Sequence, residues 1–180
     1  MNKILKTVIF SVAAIFMFTR SSCLPPENLL FNLPISFEIE ATGTGNPSGN
    51  ESFCLNENET YQDYLDKVTN VTLVEIYAVT DSVSPANLQG DIVVEFYEGI
   101  NSGGTLLFSK ILDNVQPGDF DKNNPYLLPL TDAEIQNVNN SLADGNRCFY
   151  GSYAVLGVSG GQQNYVRAKI DILFQVDADL

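Results

Sequence analysis

The chain has 180 residues, of which 44% are apolar and 17% charged, so it can bury one hydrophobic core but hardly two. A net charge of −13 argues against a groove that tracks nucleic-acid phosphates, since such a groove needs clustered Lys and Arg. Histidine is absent, which excludes Ser-His-Asp and Cys-His nucleophile systems and every metal site that depends on imidazole. We therefore expect no nucleic-acid partner.

The amino-terminal segment has the pattern of a secretory signal peptide. Two lysines precede an almost wholly apolar run, TVIFSVAAIFMF at residues 7–18, and small and polar residues follow it. The run is shorter than the roughly 20 residues that a membrane-spanning helix needs. We predict a signal peptide at residues 1–22, a proline-containing tether at 23–33 and a folded domain at 34–180.

The signal peptide ends in the segment Arg20-Ser21-Ser22-Cys23. This segment resembles the lipobox of bacterial lipoproteins, in which a small residue precedes a cysteine that is diacylated and becomes the new amino terminus. Ser21 and Ser22 match that pattern, whereas Arg20 stands where the family prefers leucine or another apolar residue. The resemblance implies a bacterial lipoprotein that is anchored through Cys23 at the periplasmic or outer cell surface. Cleavage without lipidation, which would release a soluble secreted protein, is the alternative.

Charge also limits how the mature protein can bind a membrane. Removal of the signal peptide takes away Lys3, Lys6 and Arg20 but no acid, so the remaining chain is even more acidic. Such a surface repels anionic lipids, and the sequence contains no basic amphipathic helix. We therefore expect the acyl chain to be the only membrane attachment.

The first half of the domain contains three predicted strands and one predicted helix. Apolar and polar residues alternate strictly over 35–41, which predicts a half-buried strand, and runs of β-branched residues predict strands at 71–79 and 91–97. The turn-forming segment 43–52 predicts a loop. Tyr61, Tyr64, Leu65 and Val68 follow helical spacing, and they predict a short helix over 60–67.

The second half contains further strands and one more helix. Residues 105–112 predict the partner strand of a hairpin, and 126–130 predict a short strand that Pro129 restricts to a sheet edge or end. Thr131, with Glu134 three residues later, predicts a helix that begins with a capping box. The last two strands are predicted at residues 148–158 and 165–176. In the last strand, alternation predicts an inward face made of Val166, Ala168, Ile170, Ile172, Phe174 and Val176.

Seven or so strands with two short helices predict a mainly β fold. Helices do not follow every strand, so we expect a two-sheet antiparallel β-sandwich rather than a parallel α/β fold. The topology is expected to be immunoglobulin-like or jelly-roll. Tryptophan is absent, so the domain cannot contain the buried Trp that is typical of antibody domains. Any similarity to immunoglobulins is therefore limited to the sandwich architecture.

A weak calcium candidate lies at Asp119, Asp121 and Asn123. These alternate oxygen-bearing side chains match the first three ligand positions of a calcium loop. The supporting glycine is replaced by Asn124 and the bidentate glutamate by Leu130, so an ordinary acidic turn is the alternative. We predict no other cofactor.

The cysteine count predicts one disulfide. Cys23 is used by the lipid or removed with the signal peptide, which leaves Cys54 and Cys148 in an exported protein. Both cysteines fall at the ends of predicted elements. Two buried free thiols that pack as small apolar groups are the alternative.

No motif specifies a reaction, and pairs of carboxylates arise by chance in so acidic a chain. We therefore predict a non-enzymatic binding or structural protein of the cell envelope, whose partner is an envelope protein or a glycan. The loops of a sandwich are its natural contact surfaces, and here they are predicted at residues 43–52, 81–90 and 114–125.

Two other functions remain open. A carbohydrate-binding module or carbohydrate-active enzyme would be favoured by a cluster of exposed aromatic side chains on one face, drawn from Tyr97, Tyr126, Tyr150 and Tyr165. A subunit of a surface assembly would be favoured by a sheet edge that is unpaired and free of charge.

Overall fold

The computed structural model describes residues 28–179 of the chain. Within this range there are eight strands, two α-helices and two single 3-10 turns. The strands are β1 (Asn28–Thr44), β2 (Ser48–Cys54), β3 (Val68–Ser84), β4 (Gly90–Glu98), β5 (Leu106–Val115), β6 (Tyr126–Leu127), β7 (Cys148–Leu156) and β8 (Gln163–Asp179). The helices are α1 (Glu59–Gln62) and α2 (Asp132–Ala143), and the 3-10 turns are Leu55–Glu57 and Pro117–Asp119.

The strands form one curled antiparallel sheet in the order β5-β4-β7-β2-β1-β8-β3-β6. β1 and β2 pair at a single position, Thr42 with Ser48, and the sheet folds over there into two four-stranded layers. One layer is β5-β4-β7-β2 and the other is β1-β8-β3-β6. This strand order is that of a jelly roll, so the predicted antiparallel β-sandwich is confirmed, with eight strands rather than about seven and one curled sheet rather than two separate sheets.

Phenylalanine side chains hold the two layers together. Phe37 of β1 stacks on Phe53 of β2 with 4.8 Å between ring centroids, and Phe149 of β7 lies 6.3 Å from Phe174 of β8. Gly151 of β7 faces Phe37 so closely that a Cβ atom there would meet the ring at 3.0 Å. The close approach of the layers at this point therefore depends on glycine.

The predicted inward face of the last strand is confirmed. β8 lies between β1 and β3 and pairs with both over nearly its whole length. Its apolar residues are buried on the face that meets the other layer: Val166, Ala168, Ile170, Ile172, Phe174 and Val176. Period-two alternation selects this face because successive side chains of a strand point to opposite sides.

Two segments that were predicted as connections belong to strands. β1 begins at Asn28, so residues 28–33 of the predicted tether pair with the end of β8, and 23–27 lie outside the described residues. The predicted loop at 43–52 is the end of β1, a tight turn and most of β2. β2 has one buried side chain, Phe53, so its pairing with β7 rather than an apolar pattern makes it a strand.

The helix predicted over 60–67 is shorter in the structure. α1 ends at Gln62, and turns lead from it to β3, which takes up Val68 in a pair with Ala178. The Asn58 side chain accepts a hydrogen bond from the Tyr61 N–H at 3.1 Å and caps α1. Burial of Tyr61, together with sheet pairing just after the turns, limits the helix to about one turn.

The capping box predicted for the second helix is confirmed. The Thr131 hydroxyl accepts from the Glu134 N–H, and the Glu134 carboxylate accepts from the Thr131 N–H. The Lys110 ammonium of β5 also bonds this carboxylate at 2.5 Å. Partial burial raises the pKa of Glu134, but the bonds from Lys110 and Thr131 outweigh it and hold the pKa below its ordinary value. The capping box thus fixes the residue at which α2 begins, and the Lys110–Glu134 bond connects the helix to β5.

Candidate functional site

Four connections meet at one end of the sandwich, which we call the loop end. They are the turns and loops at residues 45–47, 85–89, 116–125 and 157–162. The Asn46 side chain accepts from the Val158 N–H at 3.0 Å, and the Gly45 N–H donates to the Gln162 carbonyl at 3.0 Å. Asn164, which is fully buried, donates from its side chain to the Gly45 carbonyl. The β1–β2 turn is therefore fastened to the β7–β8 loop.

All three segments predicted as contact surfaces reach the loop end. Residues 81–84 of the second segment continue β3, and residues 114 and 115 of the third end β5, so both loops are shorter than predicted. The loop at 157–162 was not predicted as a contact surface. Three glycines between the last two strands marked its position in the sequence, but only the fold places it beside the β3–β4 loop.

A cleft of about 470 Å³ opens between these loops. One wall consists of Pro85 and residues 87–91, and the other consists of Leu156 at the end of β7 with residues 157–159 and Gln162. The two walls touch at Gly90 and Leu156. A Cβ atom added to Gly90 would lie only 2.3 Å from the Leu156 carbonyl oxygen, so the two backbones approach closely there. The volume falls within the range of small-molecule sites in proteins, roughly 300 to 1,000 Å³.

Asn114 completes the cleft at the end of β5. Its φ of 53° is the only positive value outside glycine among residues 28–179, and asparagine tolerates this left-handed conformation better than most residues. The Asp91 carboxylate accepts from the Asn114 N–H at 2.8 Å, and the Gln89 amide donates to the Asn114 side-chain oxygen at 3.0 Å. These bonds hold one polar corner of the cleft in place.

The calcium candidate lies in the β5–β6 loop of the same end. Asp121 accepts from the backbone N–H groups of Asn123 and Asn124 at 2.7 and 3.1 Å, and the Asn124 side chain donates to the Asp119 carbonyl at 2.9 Å. The Asp121 carboxylate thus stabilises the turn without any ion. In the described part of the chain no three His, Cys, Asp or Glu side chains converge as metal ligands. Calcium binding stays a prediction.

A thermal melt tests the calcium hypothesis. If Asp119, Asp121 and Asn123 bind calcium with a dissociation constant of about 10⁻⁴ to 10⁻³ M, millimolar calcium raises the melting temperature above that in chelator. The Asp119→Asn variant keeps the turn-forming Asp121 and should lose the difference. Equal melting temperatures of the unaltered protein in calcium and in chelator would reject the site.

The four tyrosines named as a possible sugar platform do not form one cluster. Tyr97 and Tyr150 lie side by side on the outer face of β4 and β7, with ring centroids 6.0 Å apart. Tyr126, the first residue of the edge strand β6, packs on Phe120, and Tyr165 lies on β8; both belong to the other layer. This dispersal is typical of core and rim packing. An aromatic stacking platform made of all four is therefore absent.

The acidic side chains on the outer strand faces bond their neighbours. Glu40 bonds Arg167 at 2.9 Å, and this bond is the main reason why the pKa of Arg167 is raised. Tyr97 donates to Glu95 at 2.8 Å, which raises the pKa of the Tyr97 phenol. Exposed pairs of this kind contribute little to stability. In both cases a single acidic side chain lies on a solvated strand face, and the contact is not a pair of carboxylates of the kind that catalysis would need.

The sheet has a long free edge at β5 and a short one at β6. β5 exposes Leu106 and Ile111 but also carries Asp113, and its inward Lys110 bonds Glu134. β5 also has a register shift near its start. Inward-pointing charges and such shifts both oppose pairing between the edges of two sheets. Within the described residues the β5 edge is therefore unpaired but not free of charge, and the surface-assembly alternative stays a prediction.

The predicted disulfide between Cys54 and Cys148 is confirmed. Cys54 ends β2 and Cys148 begins β7, and the two residues are direct partners across the strands with Cα atoms 4.0 Å apart. Both lie at the end of the sandwich opposite the loop end. The predicted lipid acceptor, Cys23, lies outside the described residues. No helix within residues 28–179 is long and apolar enough to cross a membrane.

No protein-family model matches the chain, and no curated protein matches it. Among solved structures, turnip yellow mosaic virus is similar at 11% identity and a TM-score of 0.44, covering 88% of this chain and 86% of that one. The decameric BFDV capsid protein is similar at 10% identity and a TM-score of 0.41, covering 82% and 99%. Tobacco necrosis virus is similar at 8% identity and a TM-score of 0.36, covering 84% and 97%. At this level of similarity the likeness does not indicate a shared function.

Proposed function

We propose that this chain is an exported bacterial lipoprotein of the cell envelope, anchored through Cys23, whose non-enzymatic function is to present its loop end to a binding partner. The partner is another envelope component, a protein or a glycan. The proposal rests on two observations. One is the sequence pattern at Arg20-Ser21-Ser22-Cys23, and the other is the position of the first residue of β1 in the fold.

The direction of β1 is the observation that carries this proposal. β1 starts at Asn28, five residues after Cys23, and runs 17 residues to Thr44 at the loop end. At a rise of about 3.3 Å per residue, the strand separates its two ends by about 50 Å. The start of β1, the start of β3 and the end of β8 lie together, and we call this the anchor end. A lipid on Cys23 would therefore hold the anchor end at the membrane and direct the loop end away from it.

The disulfide supports export. Disulfides form and persist in oxidising compartments such as the periplasm and the cell surface, and they are rare in the bacterial cytosol. Cys54 and Cys148 are cross-strand partners at the ends of β2 and β7. In the cytosol this disulfide would be reduced to two free thiols.

Intact-mass measurement tests the anchor. The full precursor is expressed in a bacterium, and we expect a membrane-associated product that begins at an acylated Cys23. The Cys23→Ala variant should instead be released without acyl mass and keep the Cys54–Cys148 disulfide, because neither cysteine of that bond is changed. A soluble product of the unaltered precursor, without acyl mass, would contradict the proposal.

Fluorescence quenching tests the orientation. Single dyes are attached under non-reducing conditions to Ser159→Cys at the loop end and to Asp66→Cys at the anchor end, both on exposed side chains. The lipidated proteins are placed in vesicles that contain nitroxide-labelled lipid. We expect strong quenching at position 66 and none at 159, while the same labelled variants made in the Cys23→Ala background show none at either. Equal quenching at both positions would contradict display of the loop end.

A further inference from the structure

We infer that the loop-end cleft binds a neutral glycan. The inference rests on the proposed function, because it names the ligand class of the end that the anchored protein presents. It is carried by the chemistry of the side chains that line the cleft.

Primary amides dominate the polar lining of the cleft. Asn87, Gln89, Asn114 and Gln162 come from three different segments of the chain and line the same space. Each amide carries both hydrogen-bond donors and an acceptor, and a sugar hydroxyl also donates and accepts. Asn87 and Gln162 make no side-chain hydrogen bond within residues 28–179, and both side chains are exposed. Their full bonding capacity is therefore available to a ligand.

Part of the lining is already ordered without a ligand. Gln89 and Asp91 hold Asn114 by the two bonds described above, which connect the β3–β4 loop, β4 and the end of β5. Leu88 is buried beneath the loop, and its N–H donates to the Pro85 carbonyl at 3.0 Å. A loop that is fixed in this way loses less conformational entropy when a ligand binds.

Charge excludes the anionic classes of ligand. Among residues 28–179, no Lys or Arg lines the cleft, and Asp91 is the only charged side chain there. The chain carries a net charge of −13, so a phosphate, a sulfate or an acidic polysaccharide would be repelled. A small cation would find a single carboxylate that already accepts from Asn114. A neutral polyhydroxyl ligand meets neither obstacle.

Aliphatic side chains at the cleft supply contacts for the C–H faces of sugar rings. Leu156 is 42% exposed at the end of β7, and Val158 and Pro85 line the same space. Pyranose rings have apolar faces as well as hydroxyl edges. A lining that combines amides with aliphatic groups therefore matches both parts of a sugar.

Titration calorimetry tests the inference on the full lipidated chain, kept in a detergent without a sugar head group. The probes are neutral cello-, xylo-, manno- and chito-oligosaccharides, with oligogalacturonides as the anionic comparison. We expect at least one neutral probe to bind and the oligogalacturonides not to bind. Each of Asn87→Ala and Gln162→Ala should weaken binding roughly five- to tenfold, the loss of about one neutral hydrogen bond.

Gln136→Ala is the matched control, because it removes an exposed amide from α2, outside the cleft. This variant should bind like the unaltered protein. The inference would be overturned if every neutral probe failed to bind, or if the oligogalacturonides bound instead. It would also be overturned if the two cleft variants left binding unchanged. An acylated, correctly oriented protein that binds no sugar would reject the glycan while leaving the proposed display function intact.

Discussion

Replacement of both Cys54 and Cys148 by serine should lower the free energy of unfolding by up to roughly 4 to 5 kcal/mol. The disulfide closes a loop of 94 residues, and in the chain-entropy model a loop of this length strongly restricts the unfolded state. The same change should lower the melting temperature by on the order of 10 °C. We expect the variant to fold, because the β2–β7 ladder and the aromatic core remain.

Thiol titration and thermal melts check this result. In denaturant without reductant, the unaltered chain should show no free thiol from Cys54 or Cys148. Reductant should lower the melting temperature of the unaltered chain toward that of the double variant and leave the double variant unchanged. Two reactive thiols in protein purified from an oxidising compartment would contradict the prediction.

The second large effect is expected for Phe149→Ala. Phe149 is fully buried in β7 and packs against Phe53, Phe96 and Phe174, with ring centroids 5.5, 5.1 and 6.3 Å away. Removal of the ring leaves a cavity between the two layers and should cost about 3 to 5 kcal/mol. Denaturant unfolding followed by circular dichroism measures the change.

The adjacent residue provides the control for this variant. Tyr150 lies next to Phe149 on the same strand but points to the outer face, where it contacts Tyr97. Tyr150→Ala should therefore cost much less than Phe149→Ala. If Phe149→Ala does not fold, the smaller change Phe149→Leu should still destabilise the protein more than Tyr150→Leu. Equal losses at the two positions would contradict the assigned inner face.

The elements that were predicted well are those whose side-chain pattern is decided locally. β8 alternates strictly, and burial on one face follows from the pleat of a strand. Thr131 and Glu134 form a capping box because both partners lie within one helical turn. The disulfide also followed from counting, since two cysteines remained after Cys23 in a chain whose sequence predicts export.

The elements that were missed are decided by distant parts of the chain. β2 is rich in Gly, Ser and Asn, and its pairing with β7, about a hundred residues away, makes it a strand. The start of β1 was assigned to the tether, although pairing with the end of β8 orders it. The helix over 60–67 stops early because Val68 enters β3 and pairs with Ala178.

The sequence by itself determined the mainly β class, the buried face of each alternating strand and the cysteines that pair, because periodicity and cysteine count act without knowledge of neighbours. The tertiary structure decided which loops meet. Residues 85–91, Asn114 and residues 156–162 are far apart along the chain, and they form one cleft because β3, β5 and β7 all end at the same side of the jelly roll. The order of strands in a sheet depends on pairings between distant segments, and no local pattern records them.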